Sequence, residues 1–311
     1  MTIGTGTRMR RPAALAATAG IVLSTGFLAA APARATASAP SASAPSVSAQ
    51  GAYAMNAATG RTLFGKAADT ELRTGSTTKI MTALVVLSQR NVNLDRKVKI
   101  KKEYTDYVID PNTHELRYSS AKLILGDSMK VRDLLYGLLL PSGCDAAYAL
   151  ADTYGSGPTT AQRTKSFIAK MNSKARELGL THTHFDSFDG VSNGKNHASP
   201  RDLAKLAGVA LKNKTFKTVV GTKKYDDMQS YRPGGGTHAM AAWENTNTLL
   251  NTYRGAIGVK TGSGPEAKFC LVFAATRNGR TVVGTVLADT SVDARLEDAK
   301  KILDHGFAQR G

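Results

Sequence analysis

Cysteine is almost missing from this chain. Its 311 residues hold two, Cys144 and Cys270. A single pair in a chain this long is not a disulfide framework, and the spacing fits no thiolate zinc site. Cys270 lies in KFCLVFAA, a run that reads as buried strand, where a thiol behaves as a small hydrophobe. Two free thiols are expected. Histidine is also scarce, with six residues and no His-Glu-x-x-His set, so no metal and no cofactor is expected. Acidic residues are few, 24 against 41 Lys and Arg, for a formal charge of +17. That balance favours polyanions. Neither a zinc-finger spacing nor an RNA-binding signature accompanies it, so nucleic acid is not the expected partner.

Long apolar runs are missing too, with one weak exception. Ala13 to Ala31 carries no charge, but it is rich in Ala, Gly, Ser and Thr and is marginal as a membrane span. Arg8, Arg10 and Arg11 precede it, and Ala33-Arg34-Ala35 follows as a small-x-small cleavage site. Residues 1–35 therefore read as a secretory signal. The Arg10-Arg11 pair is a faint hint of twin-arginine export. Losing the four arginines of this segment leaves +13 of the +17. For an exported protein, the matching polyanions are wall polymers or an anionic membrane surface. The basic residues are spread along the chain, and the densest run, KVKIKK (Lys97 to Lys102), alternates like an exposed strand. Residues 36–50, built mostly from Ala, Ser and Pro, cannot bury enough apolar surface to offset ordering entropy and read as a linker. A folded region over 51–311 is expected, as a monomer.

Within that region, Gly51–Ala57 and Arg61–Gly65 flank a turn and read as a hairpin. Ile80, Leu84 and Leu87 recur at helical spacing after Ser76. Further helices are expected over Val131–Leu140, Asp145–Tyr154, Thr160–Leu178 and Asp293–Phe307, and another after the Ser199-Pro200 start signal. AIGVKTG, KFCLVFAATR and RTVVGTVLA read as three strands, the last two joined by Asn278-Gly279. Strands at both chain ends and helices between them predict an α/β fold of the α+β type. One antiparallel sheet is flanked by helices, with a mostly helical region inserted over about residues 96–195.

The chemistry starts at TGSTTKIMTA, Thr74 to Ala83. Residues three apart share a helix face, so Lys79 can reach back to the hydroxyl of Ser76. A desolvated lysine, or one beside other cations, can act as a base toward a serine. Taken alone, Ser76 is as well explained as a helix N-cap. Two other stretches add weight. Lys260-Thr261-Gly262 lies at a strand end, where an ammonium supplies positive potential, a hydroxyl can hold a carboxylate and a glycine admits a close backbone. Ser142-Gly143-Cys144 lies in a break between helices. Ser-x-x-Lys, a Ser-centred second motif and Lys-Thr-Gly in this order form a known catalytic grouping.

On these motifs, and on HFDSFDG, SPRDLAKLA, NTNTLL and GVKTGSGPEAK, the chain from about Ala52 to Phe307 resembles the serine D-alanyl-D-alanine carboxypeptidases. These are low-molecular-weight penicillin-binding proteins. The likeness is greatest to a Streptomyces serine DD-transpeptidase type with the same Ser-Gly-Cys motif. The resemblance implies a five-stranded sheet of the β-lactamase/DD-peptidase kind. It implies Ser76 as acylated nucleophile, Lys79 as base and Ser142 as proton relay. It also implies an oxyanion hole from the N–H groups of Ser76 and Ser263, and a substrate carboxylate held by Lys260 and Thr261, with Arg295 as a second partner. Peptidoglycan stem peptides would be the substrates, and β-lactams covalent inhibitors. The chain departs from the family at Cys144, where most members carry asparagine. A thiol donates and accepts weakly, which bears on deacylation. A class A β-lactamase would need a deacylating glutamate, and no Glu-x-x-Leu-Asn occurs. In a zinc DD-peptidase, His182 and His184 would need a third ligand. No Ser-His-Asp elbow is expected. The remaining rival is an inactive wall-peptide-binding protein of the same fold.

Overall fold

The computed structural model describes residues 43–309. The signal reading of residues 1–35 and the first part of the linker reading, residues 36–42, lie outside them. The main sheet has the spatial order Ala256–Gly264, Lys268–Arg277, Arg280–Asp289, Gly51–Asn56, Thr62–Lys66, with every pairing antiparallel. Both chain ends build it, because Gly51 pairs with Leu287 and Asn56 with Val282. Asn278 and Gly279 both take positive φ, 50° and 73°, at the turn between two of its strands. That is the geometry a tight hairpin turn needs and the Asn-Gly pair tolerates.

Side-chain alternation gives the sheet two buried faces. Leu271, Phe273 and Ala275 face one core, shared with Leu63, Ala299, Ile302 and Leu303. Cys270, Val272 and Ala274 face the other, which joins the inserted helices. Nine helices occur among the described residues: α1 Lys79–Leu87, α2 Lys102–Tyr107, α3 Val131–Leu139, α4 Cys144–Tyr154, α5 Thr160–Glu177, α6 Pro200–Ala210, α7 Lys214–Gly221, α8 Leu249–Thr252 and α9 Val292–Ala308. Helix α9 covers the first core. α1 sits in the second with all nine residues buried. A helix that is apolar all round belongs in the interior. Each fully buried Leu, Val, Ile or Met of α1 contributes roughly 1.5–3 kcal/mol, which anchors whatever its N-terminus carries.

The helix starts follow local chemistry. Ser199 Oγ accepts the N–H of Asp202 ahead of Pro200, and Ser291 Oγ accepts that of Ala294. Thr159 and Gln162 close a capping box on α5. The run Lys97 to Lys102 is strand only over Lys97–Lys99, with Val98 inward, and α2 already starts at Lys102. The described residues form one compact unit, so the inserted helices pack as part of the same body. No helix among them is long and apolar enough to cross a membrane.

The linker reading needs correction at its C-terminal end. Val47 and Ala49 are buried. The carboxylate of Asp298 accepts from the backbone N–H of Ser48 (2.6 Å) and Ala49 (3.0 Å), and Ser48 Oγ donates to Asp289 (2.7 Å). Serine and alanine contribute little apolar area, but buried carboxylates far along the chain hold their backbone in place. Asp298→Ala should therefore lower stability by about 1–3 kcal/mol, because the buried N–H of Ala49 and the partly buried N–H of Ser48 lose their acceptor. Urea unfolding should show a lower midpoint with an unchanged slope.

Candidate active site

Ser76 sits in a 3-10 turn, Gly75–Thr78, that runs directly into α1. No side chain caps either helix start, so Ser76 is not the N-cap that its position in the sequence allows. Its hydroxyl instead meets Lys79. Lys79 is fully buried, and its Nζ donates to Ser76 Oγ at 2.9 Å, to the backbone carbonyl of Asp189 at 2.9 Å and to Cys144 Sγ at 3.4 Å. A lysine ammonium has three donors. Each has an acceptor here, from three separate parts of the chain.

The second motif presents Ser142 at positive φ, 65°. Holding a non-glycine residue there costs roughly 1–3 kcal/mol. The local network sustains it. Ser119 Oγ donates to the carbonyl of Ser142 (2.7 Å), and Gly143 N–H to that of Gly137 (2.8 Å). Asp145 gathers the N–H groups of Ala121, Leu123 and Ala146. Ser142 Oγ is buried and has no hydrogen-bond partner among the described residues. Cys144 begins α4 and is nearly inaccessible. Burial pushes its thiol up to about 11, against the opposing pull of Lys79. The thiol is therefore neutral near pH 7, and the Nζ–Sγ contact is a weak hydrogen bond.

The Lys260-Thr261-Gly262 motif lies on the edge strand beside the 3-10 turn. Lys260 is 1% exposed, and its Nζ donates to the carbonyl of Thr261 (3.1 Å). Burial, followed by the nearby Lys79, depresses its proton affinity. Its amine therefore stands behind Thr261 and not at the cleft surface. Thr261 Oγ1 pairs with Thr246 Oγ1 at 2.7 Å. Gly262 was expected to admit a close substrate backbone. The structure gives it a packing duty as well. A Cβ at Gly262 would lie 2.7 Å from the carbonyl oxygen of Thr74 and 3.2 Å from the nitrogen of Thr77. Gly75, at φ 48°, approaches Ser263 in the same way, with a Cβ position 2.8 Å from its oxygen. Glycines thus let the nucleophile turn lie against the strand, and they bring the backbones of Ser76 and Ser263 together.

Arg295 is not a solvated helix arginine. It is 9% exposed, and its Nη1 donates to the carbonyls of Gly262 (2.9 Å) and Cys270 (3.2 Å), which face each other across two strands. These elements enclose a cleft of about 700 Å³. Ser76, Ser142, Cys144, Thr261, Gly262, Ser263 and Arg295 line it together. Lys79 and Lys260 stand behind its wall. All nine expected residues therefore converge.

Several lining residues carried no assignment from sequence. They include Arg73, paired with Glu266 at 3.0 Å, and Arg117, Ser119, Thr246 and Asn196. Asn196 Nδ2 donates to Thr74 Oγ1 (2.8 Å) and Thr78 Oγ1 (2.7 Å). Asp189 is the main omission. HFDSFDG carried it, but nothing local marks its carbonyl as the acceptor for Lys79. Its carboxylate is fully buried, accepting from Tyr107 OH (3.0 Å) and from the N–H of Val191 (2.9 Å).

The expectation of no serine elbow needs one correction, because Gly190-Val191-Ser192-Asn193-Gly194 has the Gly-x-Ser-x-Gly spelling. It lies in a loop, not between strand and helix, and Ser192 Oγ donates to Asp186 (2.9 Å). His182 and His197 flank Glu71 at 3.7 and 3.5 Å, outside the cleft lining. No group of three or more His, Cys, Asp or Glu among the described residues could hold a metal ion.

Gly262→Ala tests the packing duty. The added methyl must part the strand from the turn, so the thermal midpoint should fall by several degrees and acylation by a small β-lactam should slow at least tenfold. An unchanged midpoint would assign the glycine to substrate approach alone.

Comparison with known proteins agrees with this geometry. The family profile described as D-alanyl-D-alanine carboxypeptidase matches residues 38–291. A D-alanyl-D-alanine carboxypeptidase of Streptomyces sp. (strain K15) is 58% identical over 97% of this chain and 99% of its own. The D-alanyl-D-alanine carboxypeptidase DacF of Bacillus subtilis (strain 168) is 31% identical over 81% of this chain, which spans 60% of that protein. The crystal structure of the Streptomyces K15 DD-transpeptidase superposes with a TM-score of 0.82 at 62% identity, covering 86% of this chain and 99% of that one. The chain belongs to the D-alanyl-D-alanine carboxypeptidase family.

Proposed function

We propose that this protein is an exported serine DD-peptidase that cleaves the D-Ala-D-Ala end of peptidoglycan stem peptides through an acyl-enzyme on Ser76. The observation that carries the mechanism is the 2.9 Å contact between Lys79 Nζ and Ser76 Oγ behind a cleft that Ser142 and Thr261 also line. Lys79, once neutral, takes the hydroxyl proton as Oγ attacks the penultimate D-alanine carbonyl. The N–H groups of Ser76 and Ser263 stabilise the developing oxyanion. Ser142, with its hydroxyl uncommitted, passes a proton to the nitrogen of the departing D-alanine. The carbon–nitrogen bond then breaks and leaves an ester. Thr261 receives the substrate's terminal carboxylate, with Arg295 in the cleft lining and Lys260 behind it. β-Lactams acylate the same serine.

The ester then meets water or an amine. Asparagine in place of Cys144 would both donate to the substrate carbonyl and accept from Lys79. The neutral thiol does both weakly, and losing a good hydrogen bond in a desolvated site costs roughly 1–3 kcal/mol. Water is then poorly held, and transfer to an amine is favoured over hydrolysis. The signal-like N-terminus supports a location outside the cytoplasm, at the wall or the outer face of the plasma membrane, where its positive charge suits anionic polymers.

Labelled penicillin followed by intact-mass analysis tests the nucleophile. An adduct on Ser76 that is absent in folded Ser76→Ala is expected. It should be long-lived, since the sequence holds no Glu-x-x-Leu-Asn motif. No adduct on the folded wild type would favour the peptide-binding rival, and rapid turnover of benzylpenicillin would favour a β-lactamase. With a donor peptide and a glycine-type amine, the transfer product should predominate. Mainly free acid at modest amine concentration would contradict the role given to Cys144.

A further inference from the structure

Four charged side chains line the cleft: Arg73, Arg117, Glu266 and Arg295. Arg295 is engaged by the carbonyls of Gly262 and Cys270, and Glu266 pairs with Arg73 at 3.0 Å. Arg117 is left over. It is exposed, its guanidinium lies 5.0 Å from the centre of the Tyr118 ring, and among the described residues no carboxylate pairs with it. The half of a donor peptide that it faces follows from the cleft walls. With the terminal carboxylate on Thr261 and the oxyanion on the N–H of Ser263, a bound donor runs along the strand from residue 261 past residue 263. Two strand residues advance about 6.6 Å, so this step leads from the carboxylate to the scissile carbonyl. The acyl half then continues toward Gly264, Pro265 and Glu266, which line the same cleft. Arg73 ties that end to the loop after Asp189, because it also donates to the carbonyl of Asn196 (3.4 Å). Tyr118 joins it from the opposite wall. Its ring meets that of Tyr107 (5.4 Å), and Tyr107 OH donates to Asp189, the residue before Gly190 of the lining. The leaving-group end is bounded instead by Thr246, which pairs with Thr261 and donates to Leu140 just before Pro141. Arg117, next to Tyr118, therefore stands at the acyl end.

We infer that Arg117 is a specificity-determining residue, which pairs with a carboxylate on the acyl half of the donor, on the residue that precedes the two D-alanines. This rests on the reading of Ser76 as nucleophile and Thr261 as the carboxylate site. Arg73 and Glu266 offset each other, so the acyl end carries one uncompensated positive charge. A guanidinium meets a carboxylate with two parallel hydrogen bonds, and its fork geometry suits a donor side chain that ends in an acid. A side chain that ends in an amine meets like charge there instead. The pairing is made by a part of the donor remote from the bond that breaks. It is present in the bound donor as well as in the transition state, so it acts on KM more than on kcat.

Two penicillins test this, because the β-lactam carbonyl takes the place of the scissile one and the side chain lies on the acyl half. Benzylpenicillin and α-carboxybenzylpenicillin differ there by one carboxylate. The readout is the ratio of their second-order rates of adduct formation on the full-length protein, followed by intact mass. In the wild type the carboxylated compound should react about two- to fivefold faster at low salt, the effect of an exposed ion pair. That ratio should fall toward one at about 0.5 M salt, where screening is strong. Arg117→Gln should bring the low-salt ratio to about one and Arg117→Glu should take it below one, while Arg117→Lys should keep it above one, as a purely structural role would not. With donor peptides ending in Glu-D-Ala-D-Ala and Gln-D-Ala-D-Ala, Arg117→Gln should raise KM for the acidic donor at least about twofold and leave kcat nearly unchanged. A wild-type ratio of one or less, or a ratio that Arg117→Gln and Arg117→Glu leave unmoved, overturns the inference. No adduct on Ser76 from either compound removes the acyl-enzyme reading, and this inference with it. Adducts from both at equal rates remove this inference alone.

Discussion

One buried ammonium organises this structure. Lys79 Nζ is shut away from solvent and draws its acceptors from the serine one turn before it, from the first residue of α4 and from the backbone of the Asp189 loop. An ammonium left without partners in such a place would cost several kcal/mol. Three distant segments are therefore bound to one point. The surroundings serve this arrangement. α1 is buried on all sides, the strand and turn touch through Gly75 and Gly262, and Gly190 brings its loop so close that a Cβ would fall 2.0 Å from the carbonyl oxygen of Gly75.

The sheet and most helices were legible in the sequence because their signals are local. Short apolar runs marked the last two strands, Asn278-Gly279 marked the turn between them, and Ser199-Pro200 marked a helix start that the structure places at Pro200. The linker boundary was less legible. The residues that dock Ser48 and Ala49 lie about 250 positions away, so the composition of the segment itself carries no sign of them. In the cleft, motif order was enough to bring nine residues together, but not to say which of them faces solvent. Lys260 and Lys79 stand behind the wall because strand pleat and turn geometry, not residue type, decide that. Asp189 was missed for a related reason. Its contact with Lys79 uses the backbone carbonyl, which every residue has.

Cys144 shows how a single substitution can change the balance of a site without dismantling it. The thiol fills the position beside Nζ at 3.4 Å, and the short hydrogen bond on the Ser142 carbonyl comes from Ser119 Oγ (2.7 Å), with only a long contact from Cys144 Sγ (4.0 Å). Positioning of Ser76 and Lys79 therefore survives the change. Under the proposed function, what weakens is the polar grip on whatever approaches the acyl ester, the step where water and amine compete.

The account turns on Lys79 acting on Ser76 and not merely packing beneath it. The most direct measurement is the second-order rate of acylation by labelled penicillin in Lys79→Met, a substitution of similar volume, compared with wild type under conditions where circular dichroism shows both folded. A fall of roughly 10²–10⁴-fold is predicted, the usual contribution of a positioned general base. Acylation of the folded variant at the wild-type rate would contradict it.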